Sequence, residues 1–311
     1  MPGIAFICMG DDMRFRDSQD MRLICRTGGF TLVELLVVIA IIAMLMSILL
    51  PALGKVREVA RTMVCLTNVR RIAFASHMYT VENDGFYPPF RMTVRYLGDS
   101  EPFVNKYGRV RPRWPWFFDH GIGPVIDPTP YVQYEGETFD DNDTLIMTND
   151  HFMCPSFKHP GFDERDIRNG SYGYNYQYLG NSRDVDGRYV HFPVPQYSIS
   201  NPVGTVVIAD SRGAGVPHGI HSYTLDPPKL SRSFGAYRFA NRKESSLQAQ
   251  HSPAEARHDG KACVGFVDSH AEKLSLEELG YVIGDDGVVV ADDPDGSNRM
   301  WTGTGRDEME Y

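Results

Sequence analysis

The sequence predicts an α+β chain, in which one long N-terminal helix precedes a globular region with a small antiparallel sheet and long loops. Three observations support this fold class. Residues 30–50 are an apolar run with a single charge, Glu34, and residues 51–80 continue it with apolar residues at three- and four-residue spacing. The remainder is rich in Gly, Pro, Tyr and Asn and contains only short strand-like apolar stretches.

Composition sets the broad class. The chain has 311 residues, of which 42% are hydrophobic and 23% charged, values that are ordinary for a globular protein. They exclude a mainly disordered chain, a collagen-like fibre and a disulfide-dense miniprotein. The formal net charge of −9 argues against a general nucleic-acid binder, so no nucleic-acid partner is expected.

The apolar run at residues 30–50 is long enough to cross a membrane. Its 21 residues would span roughly 31 Å as a helix, the thickness of a bilayer core. The run is too long and too uniformly apolar for a helix that packs only one face against a protein core. A cleaved secretory signal would have a shorter apolar region and a small-residue cleavage site, whereas this run continues to Leu50 and Pro51. We therefore expect a membrane span.

Residues 51–80 predict an amphipathic continuation of the same helix. Pro51 and Gly54 should kink or locally melt it, because proline has no amide hydrogen to donate and glycine is a poor helix former. The whole helix, 30–80, would be about 75 Å long. Its predicted apolar face carries Leu53, Val56, Ala60, Met63, Val69, Ile72, Ala73 and Ser76, and the opposite face carries Lys55, Arg57, Glu58, Arg61, Arg70 and Arg71.

Beyond the helix, residues 81–89 (VENDGFYPP) predict a helix stop and turn. Three apolar stretches predict strands at 205–209, 262–267 and 287–290. The long polar stretch at 91–150 is weakly patterned and predicts loops.

Residues 26–34, RTGGFTLVE, resemble the class III signal of type IV prepilins and type II secretion pseudopilins. The resemblance implies that a prepilin peptidase cuts after Gly29 and methylates the new N-terminal amine of Phe30. It also implies the pilin-like lollipop: a cleaved leader at 1–29, a transmembrane and stem helix at 30–80, and an extracytoplasmic globular head at 81–311. The leader is long for this signal and charge-neutral, so we hypothesise that Met21 is the true start, which would leave a basic nine-residue leader.

Glu34 is the one charge in the apolar run. A carboxylate inside a membrane span is costly and needs a partner. The amine of Phe30 would lie one helical turn away after cleavage. In the family that this signal resembles, the carboxylate neutralises the N-terminal amine of an adjacent subunit, which implies an assembly role for Glu34. A carboxylate that reaches the membrane surface is the alternative.

Further short segments resemble a subgroup of pseudopilin-like proteins whose head ends in a His-x9-Asp-Gly element. Here nine residues separate His258 from Asp268, but Ser269 replaces the glycine, which weakens any claim that this turn needs a positive φ. On the stem, Cys65 and Asn68 match the subgroup's Cys-x-x-Asn-x-x-Gln, with Arg instead of Gln at position 71. Segments 153–156 (MCPS) and 171–175 (SYGYN) match further recurrent pieces.

Two interpretations of the His258 region stay open. In the first, His258 and Asp268 are polar ties near two turns of a sheet, since Asp-Gly flanked by apolar residues is a hairpin signal. In the second, a zinc, manganese or hydrolytic site is built from His258, Asp259, Asp268 and His270, with His251 nearby. The first is favoured, because the spacing matches no familiar metal signature.

The acidic segment near the C-terminus could bind Ca²⁺ through Asp292, Asp293 and Asp295. Major pseudopilins carry a calcium site late in the head, so the resemblance also implies one. A solvated acidic loop is the competing interpretation. No other cofactor is expected.

Three cysteines remain after removal of the leader: Cys65, Cys154 and Cys263. They allow at most one intramolecular disulfide. We hypothesise a Cys65–Cys154 bridge between stem and head, because Cys263 lies in a predicted strand whose apolar sequence indicates burial.

The resemblance implies a structural, non-enzymatic subunit of a type II secretion or type IV pilus-like filament. The protein would cross the bacterial inner membrane once, with its head in the periplasm, and join a filament after processing. Its partners would be prepilin peptidase, other pilin-like subunits and the assembly ATPase machinery. A membrane-anchored module that binds carbohydrate or an exported substrate through the aromatic segments at 114–118 and 172–178 is the alternative. An anchored hydrolase using His258 and Asp268 is a third hypothesis.

Overall fold

The computed structural model describes residues 31–88, 114–118, 149–157, 171–180, 182–185, 188–191, 194–213, 224–229 and 251–307. One helix, α1, spans Leu32–Glu82. The strands are β1 (Tyr172–Tyr174), β2 (Ser182–Val185), β3 (Arg188–His191), β4 (Val206–Asp210), β5 (Ala262–Phe266) and β6 (Ala271–Leu274). Short 3-10 helices cover Trp114–Phe117, Asp150–Phe152 and Gln196–Ser198. This content confirms the predicted fold class.

The chain divides into two compact units, Met1–Leu53 and Gly54–Tyr311, and α1 contributes to both. The helix is unbroken at Pro51 and Gly54, so local melting there was a wrong prediction; a kink at these residues stays a prediction. It ends two residues later than expected, in a turn where the amide of Gly85 donates to the carbonyl of Thr80. The expected helix stop within 81–89 is confirmed.

The main sheet has the strand order β1-β4-β5-β6, and all its pairs are antiparallel. β2 and β3 form a separate antiparallel ribbon. The strands expected at 205–209 and 262–267 are confirmed as β4 and β5. The strand expected at 287–290 is wrong: Val289 makes only an isolated bridge to Ile283, because the chain reverses tightly at Gly287, where φ is +75°.

The second half of α1 packs against the main sheet through a face that was only partly predicted. The face is buried from Thr62 onward: Thr62, Cys65, Asn68, Val69, Ile72, Ala73, Ala75, Ser76 and Thr80. The prediction is right for Val69, Ile72, Ala73 and Ser76. It is wrong for Leu53, Val56, Ala60 and Met63, which are exposed, because the helix buries side chains only from Thr62 onward. Before Thr62, the carboxylate of Glu58 accepts from Ser156 Oγ at 3.4 Å.

Gly265 in β5 lets the helix approach the sheet closely. A Cβ atom at this position would lie 2.9 Å from Val69 Cγ1 on α1 and 3.0 Å from Ile208 Cγ2 on β4. No real side chain tolerates such a contact without displacing a neighbour. The helix and the two central strands therefore share one core, in which Val69, Ile72 and Ile208 are fully buried.

Candidate functional site

The apolar half of α1 begins with a reciprocal cap. The amide and hydroxyl of Thr31 both donate to Glu34 Oε2, each at 2.8 Å, and the amide of Glu34 donates back to Thr31 Oγ1 at 3.2 Å. This is a capping box, which satisfies backbone donors that have no partner within the helix. Glu34 thus has a local role in addition to the assembly role expected from the sequence. Gly29 and Phe30, the predicted processing residues, lie outside the described residues.

The large apolar side chains of residues 32–50 are 44–79% exposed. Within the part of the chain that the structure describes, α1 is the one helix long and apolar enough to cross a membrane. The hydroxyl of Ser47, a polar group within this apolar half, donates to the carbonyl of Met44 at 2.7 Å, so it has a hydrogen-bond partner within the helix. An apolar surface of this extent needs lipid or other apolar helices around it.

In the second unit, a buried polar cluster surrounds His258. The donor atoms of Cys65, Asp210, His258 and Cys263 all lie within 4.8 Å of one another. We call these four residues the Cys–His–Asp cluster. Its members come from α1, the end of β4, the turn before β5, and β5. Cys154 adjoins it, with Sγ 3.2 Å from His258 Nε2.

The cluster is tied together by hydrogen bonds. The Cys65 thiol donates to Asp210 Oδ1 at 3.4 Å, and the amide of Cys263 donates to Asp210 Oδ2 at 2.8 Å. The hydroxyl of Tyr172 donates to Cys65 Sγ at 3.4 Å. Arg257, itself buried, places Nε 3.6 Å from Asp210 Oδ1.

The environment raises the pKa of two of these thiols. Burial raises the pKa of Cys65, and the contact with Cys65 together with burial raises the pKa of Cys154. Reactive cysteines show the opposite shift, because the thiolate is the nucleophile. For His258, burial lowers the pKa, but the contact with Cys154 and the charge of Asp210 outweigh it and the net pKa is raised.

The predicted Cys65–Cys154 disulfide is not formed in this structure, where Cys65, Cys154 and Cys263 are free thiols. From the sequence, burial was expected to set Cys263 apart from the other two cysteines. In the structure all three are buried, so burial does not distinguish Cys263. The bridge stays a hypothesis.

Asn68, the other stem residue of the predicted motif, binds the loop that carries Cys154. Its Nδ2 donates to the carbonyl of Met153 at 3.0 Å, and its Oδ1 lies 3.4 Å from His151 Nδ1. The recurrent segments at 65–68 and 153–156 therefore meet in space.

The structure separates the residues of the predicted hydrolytic site. His258 faces cysteines and Asp210, whereas Asp268 and His270 form a pair at the exposed turn between β5 and β6, with Oδ1 and Nδ1 2.5 Å apart. His251 instead contacts the carbonyl of Pro227. His258 and Asp259 do begin a tight turn, closed by a bridge from His258 to Lys261, as the polar-tie interpretation expected.

Ser269 occupies the left-handed region, with φ of +71°. The turn between β5 and β6 therefore does need a positive φ at this position, although the sequence has serine there instead of glycine. The serine at position 269 was expected to weaken the case for a positive φ in this turn, and that expectation was wrong.

The acidic segment at 292–295 gains no support as a calcium site. The amide of Asp295 donates to Asp293 Oδ1 at 2.9 Å, so this carboxylate caps a local turn. Among the described residues, the group of converging His, Cys, Asp and Glu donors is the Cys–His–Asp cluster, and Asp292, Asp293 and Asp295 are not part of it. Calcium binding stays a prediction.

Several of the described aromatic residues pack together inside the second unit. Trp114 lies 5.4 Å from Phe118 and 6.0 Å from both Phe152 and Tyr174, between ring centroids. All four are buried, as is Tyr172. These five rings are core residues, whereas Phe117 in the same segment is half-buried, and the binding-module alternative stays a hypothesis.

Sequence reasoning missed Asp210 and the convergence of Cys263 and Cys154 on His258. Asp210 ends an entirely buried strand. A carboxylate directly after a run such as TVVIA was the available signal, since buried acids need partners.

The N-terminal part of the chain matches a known family. Residues 25–50 match the family described as the prokaryotic N-terminal methylation motif, which confirms the prepilin-like signal. The motif supports a type IV pilin- or pseudopilin-like precursor, and it implies processing by a prepilin peptidase and assembly with other pilin-type subunits. No curated protein and no solved structure matches the chain.

Proposed function

We propose that the chain is a structural subunit of a type II secretion or type IV pilus-like filament, assembled through its N-terminal helix. The observation that carries the proposal is the methylation motif at 25–50 on a helix whose apolar residues are exposed along its first half. Lipid covers this surface before assembly and neighbouring helices cover it afterwards. The protein is not an enzyme; its work is helix packing.

The proposal divides the chain into three parts. The peptidase removes residues 1–29 after Gly29 and methylates Phe30. Residues 30–80 then anchor the subunit in the inner membrane, and residues 81–311 form the periplasmic head. An assembly ATPase supplies the energy for extracting the helix from the bilayer.

Glu34 has two separable roles in this proposal. Its carboxylate caps the helix through Thr31, and its charge neutralises the amine of a neighbouring Phe30. A glutamine at position 34 keeps an oxygen that can accept from Thr31 but removes the charge. A valine at position 31 removes the hydroxyl part of the cap and leaves the charge in place.

The test compares Glu34→Gln with Thr31→Val in the full chain expressed with its own secretion or pilus system. Intact-mass measurement should show a chain beginning at N-methylated Phe30 in both variants. Sheared filament fractions should contain Thr31→Val at near wild-type level and should lack Glu34→Gln. Wild-type assembly by Glu34→Gln, or an unprocessed wild-type chain, would contradict the proposal.

A further inference from the structure

The Cys–His–Asp cluster brings together donors that the sequence scatters over almost 200 residues. Two thiols, one imidazole and one carboxylate, all buried, place their donor atoms within 4.8 Å of one another. Around a tetrahedral zinc ion, with Zn–S of about 2.3 Å and Zn–N or Zn–O of about 2.0 Å, donor atoms are about 3.3–3.8 Å apart. Two separations here fall in this range, because Cys65 Sγ lies 3.4 Å from Asp210 Oδ1 and His258 Nε2 lies 3.4 Å from the other carboxylate oxygen, Oδ2.

The orientation of His258 is set from its other ring nitrogen. Nδ1 lies 3.3 Å from Thr62 Oγ1, and that hydroxyl already donates its hydrogen to the carbonyl of Glu58 at 3.0 Å. The hydroxyl must therefore accept from Nδ1–H. In the neutral ring, Nε2 then carries a lone pair that faces the cluster, with Cys154 Sγ 3.2 Å away, and this is the tautomer that a metal-binding histidine uses.

The same hydrogen bonds leave two acceptors facing each other. The Nε2 lone pair of neutral His258 and the carboxylate oxygen Oδ2 of Asp210 are 3.4 Å apart. The thiol of Cys154 lies 3.2 Å from Nε2 and the amide of Cys263 donates to Oδ2 at 2.8 Å, so a cation between the two acceptors would take the place of the thiol hydrogen at Nε2. The surrounding sulfur atoms favour a soft or borderline cation over Ca²⁺ or Mg²⁺.

The carboxylate is held in the manner expected of a metal ligand. Its oxygen Oδ2 accepts from the amide of Cys263 at 2.8 Å, and Oδ1 faces the buried guanidinium of Arg257 at 3.6 Å. Two thiolates, one carboxylate and Zn²⁺ would carry one net negative charge, which the nearby Arg257 offsets.

We propose that Cys65, Asp210, His258 and Cys263 bind one structural Zn²⁺ ion, with Cys154 as an adjoining sulfur outside the ligand set. Binding releases two protons, one from each thiol. The ion fastens α1 to β4, to β5 and to the turn at His258, all within the second unit. It also protects two thiols from oxidation. The proposal does not depend on filament assembly.

The first experiment measures zinc by inductively coupled plasma mass spectrometry in the full chain, purified in detergent without a histidine tag or chelator. The wild type should hold one zinc per chain. Cys65→Ser, Asp210→Asn and Cys263→Ser should each lower zinc affinity at least about tenfold. The matched control Cys154→Ser should keep the metal, as should His270→Gln.

A second measurement uses the wild type alone, because some variants will not fold. X-ray absorption at the zinc edge should show two sulfur and two nitrogen or oxygen neighbours, and the cobalt-exchanged protein should show thiolate-to-cobalt charge transfer. A wild type without zinc, a Cys65–Cys154 disulfide in non-reduced peptide maps, or a zinc shell without sulfur would each overturn the proposal. Zinc lost from Cys154→Ser but kept by Asp210→Asn would overturn the ligand set.

Discussion

The thiol of Cys65 donates to the carboxylate of Asp210, with Sγ 3.4 Å from Oδ1, although 145 residues separate them. The bond joins α1 to the end of β4. Because Asp210 Oδ2 also accepts from the amide of Cys263, the same carboxylate reaches β5. One buried group thus connects the helix with both central strands, and changes that push the helix off the sheet should destabilise the whole second unit.

Gly265→Ala should lower stability by about 1–3 kcal/mol, because the new Cβ would lie 2.9 Å from Val69 Cγ1 and force the helix away from the sheet. The measurement is thermal unfolding of the full chain in detergent, followed by tryptophan fluorescence. The matched control is Gly54→Ala on the exposed part of α1, where a Cβ meets nothing within 4 Å. That change should raise stability by up to about 1 kcal/mol. Equal melting temperatures for the two variants would contradict the packing argument.

Asn68→Asp should destabilise the contact between α1 and the loop that carries Cys154. The change replaces a donor to the Met153 carbonyl by a second acceptor, at a cost of about 1–3 kcal/mol. Arg70→Gln is the control, because it also shifts the net charge by −1 but lies on the exposed face of the same helix. Limited proteolysis should show faster cleavage near residues 149–157 for Asn68→Asp. Equal cleavage rates for both variants would show that the hydrogen bond is dispensable.

The local parts of this fold could be predicted from the sequence. The apolar run and its first-turn Glu34 carry their information within a few residues, and α1 begins at Leu32, two residues after the predicted start. β4 and β5 follow from short apolar runs between turns. Residues 287–290 are also a short apolar run, but the chain reverses at Gly287, and the segment is then too short to pair as a strand.

The inward face of α1 and the Cys–His–Asp cluster could not be predicted in the same way. The face is marked by small and polar residues, such as Thr62 and Ser76, and not by large apolar ones, so hydrophobic spacing favoured the wrong stripe near Met63. The cluster depends on long-range pairing, which places Asp210 beside Cys263. No spacing rule within one segment contains that contact.

Ser269→Gly should raise stability by a few tenths to about 1 kcal/mol. Ser269 has a left-handed backbone conformation, with φ of +71°, which costs a residue with a Cβ atom conformational free energy. Glycine adopts this conformation without a steric penalty. Gly260→Ala is the opposite control: φ is +73° and a Cβ would meet nothing within 4 Å, so only backbone strain changes. That variant should lose about 1 kcal/mol. Chemical unfolding of both in detergent checks the signs, and a destabilised Ser269→Gly would mean that the serine side chain outweighs the strain.

His251 should make stability depend on pH. Burial lowers the pKa of His251; the charges of Asp226 and Asp292 and the hydrogen bond to the Pro227 carbonyl oppose this, whereas Arg212 adds to it. The unfolded chain binds a proton near pH 6.5 and the folded chain does not, so this contribution is full above about pH 6.5 and is lost as the pH falls toward the folded pKa.

The variant His251→Gln keeps a donor for the Pro227 carbonyl, which lies 3.2 Å from Nε2, but cannot be protonated. The drop in melting temperature between pH 7.5 and pH 5.5 should therefore be smaller in His251→Gln than in the wild type. Contributions of other titrating groups cancel in this comparison. An identical pH response of wild type and His251→Gln would mean that His251 takes up its proton in the folded state.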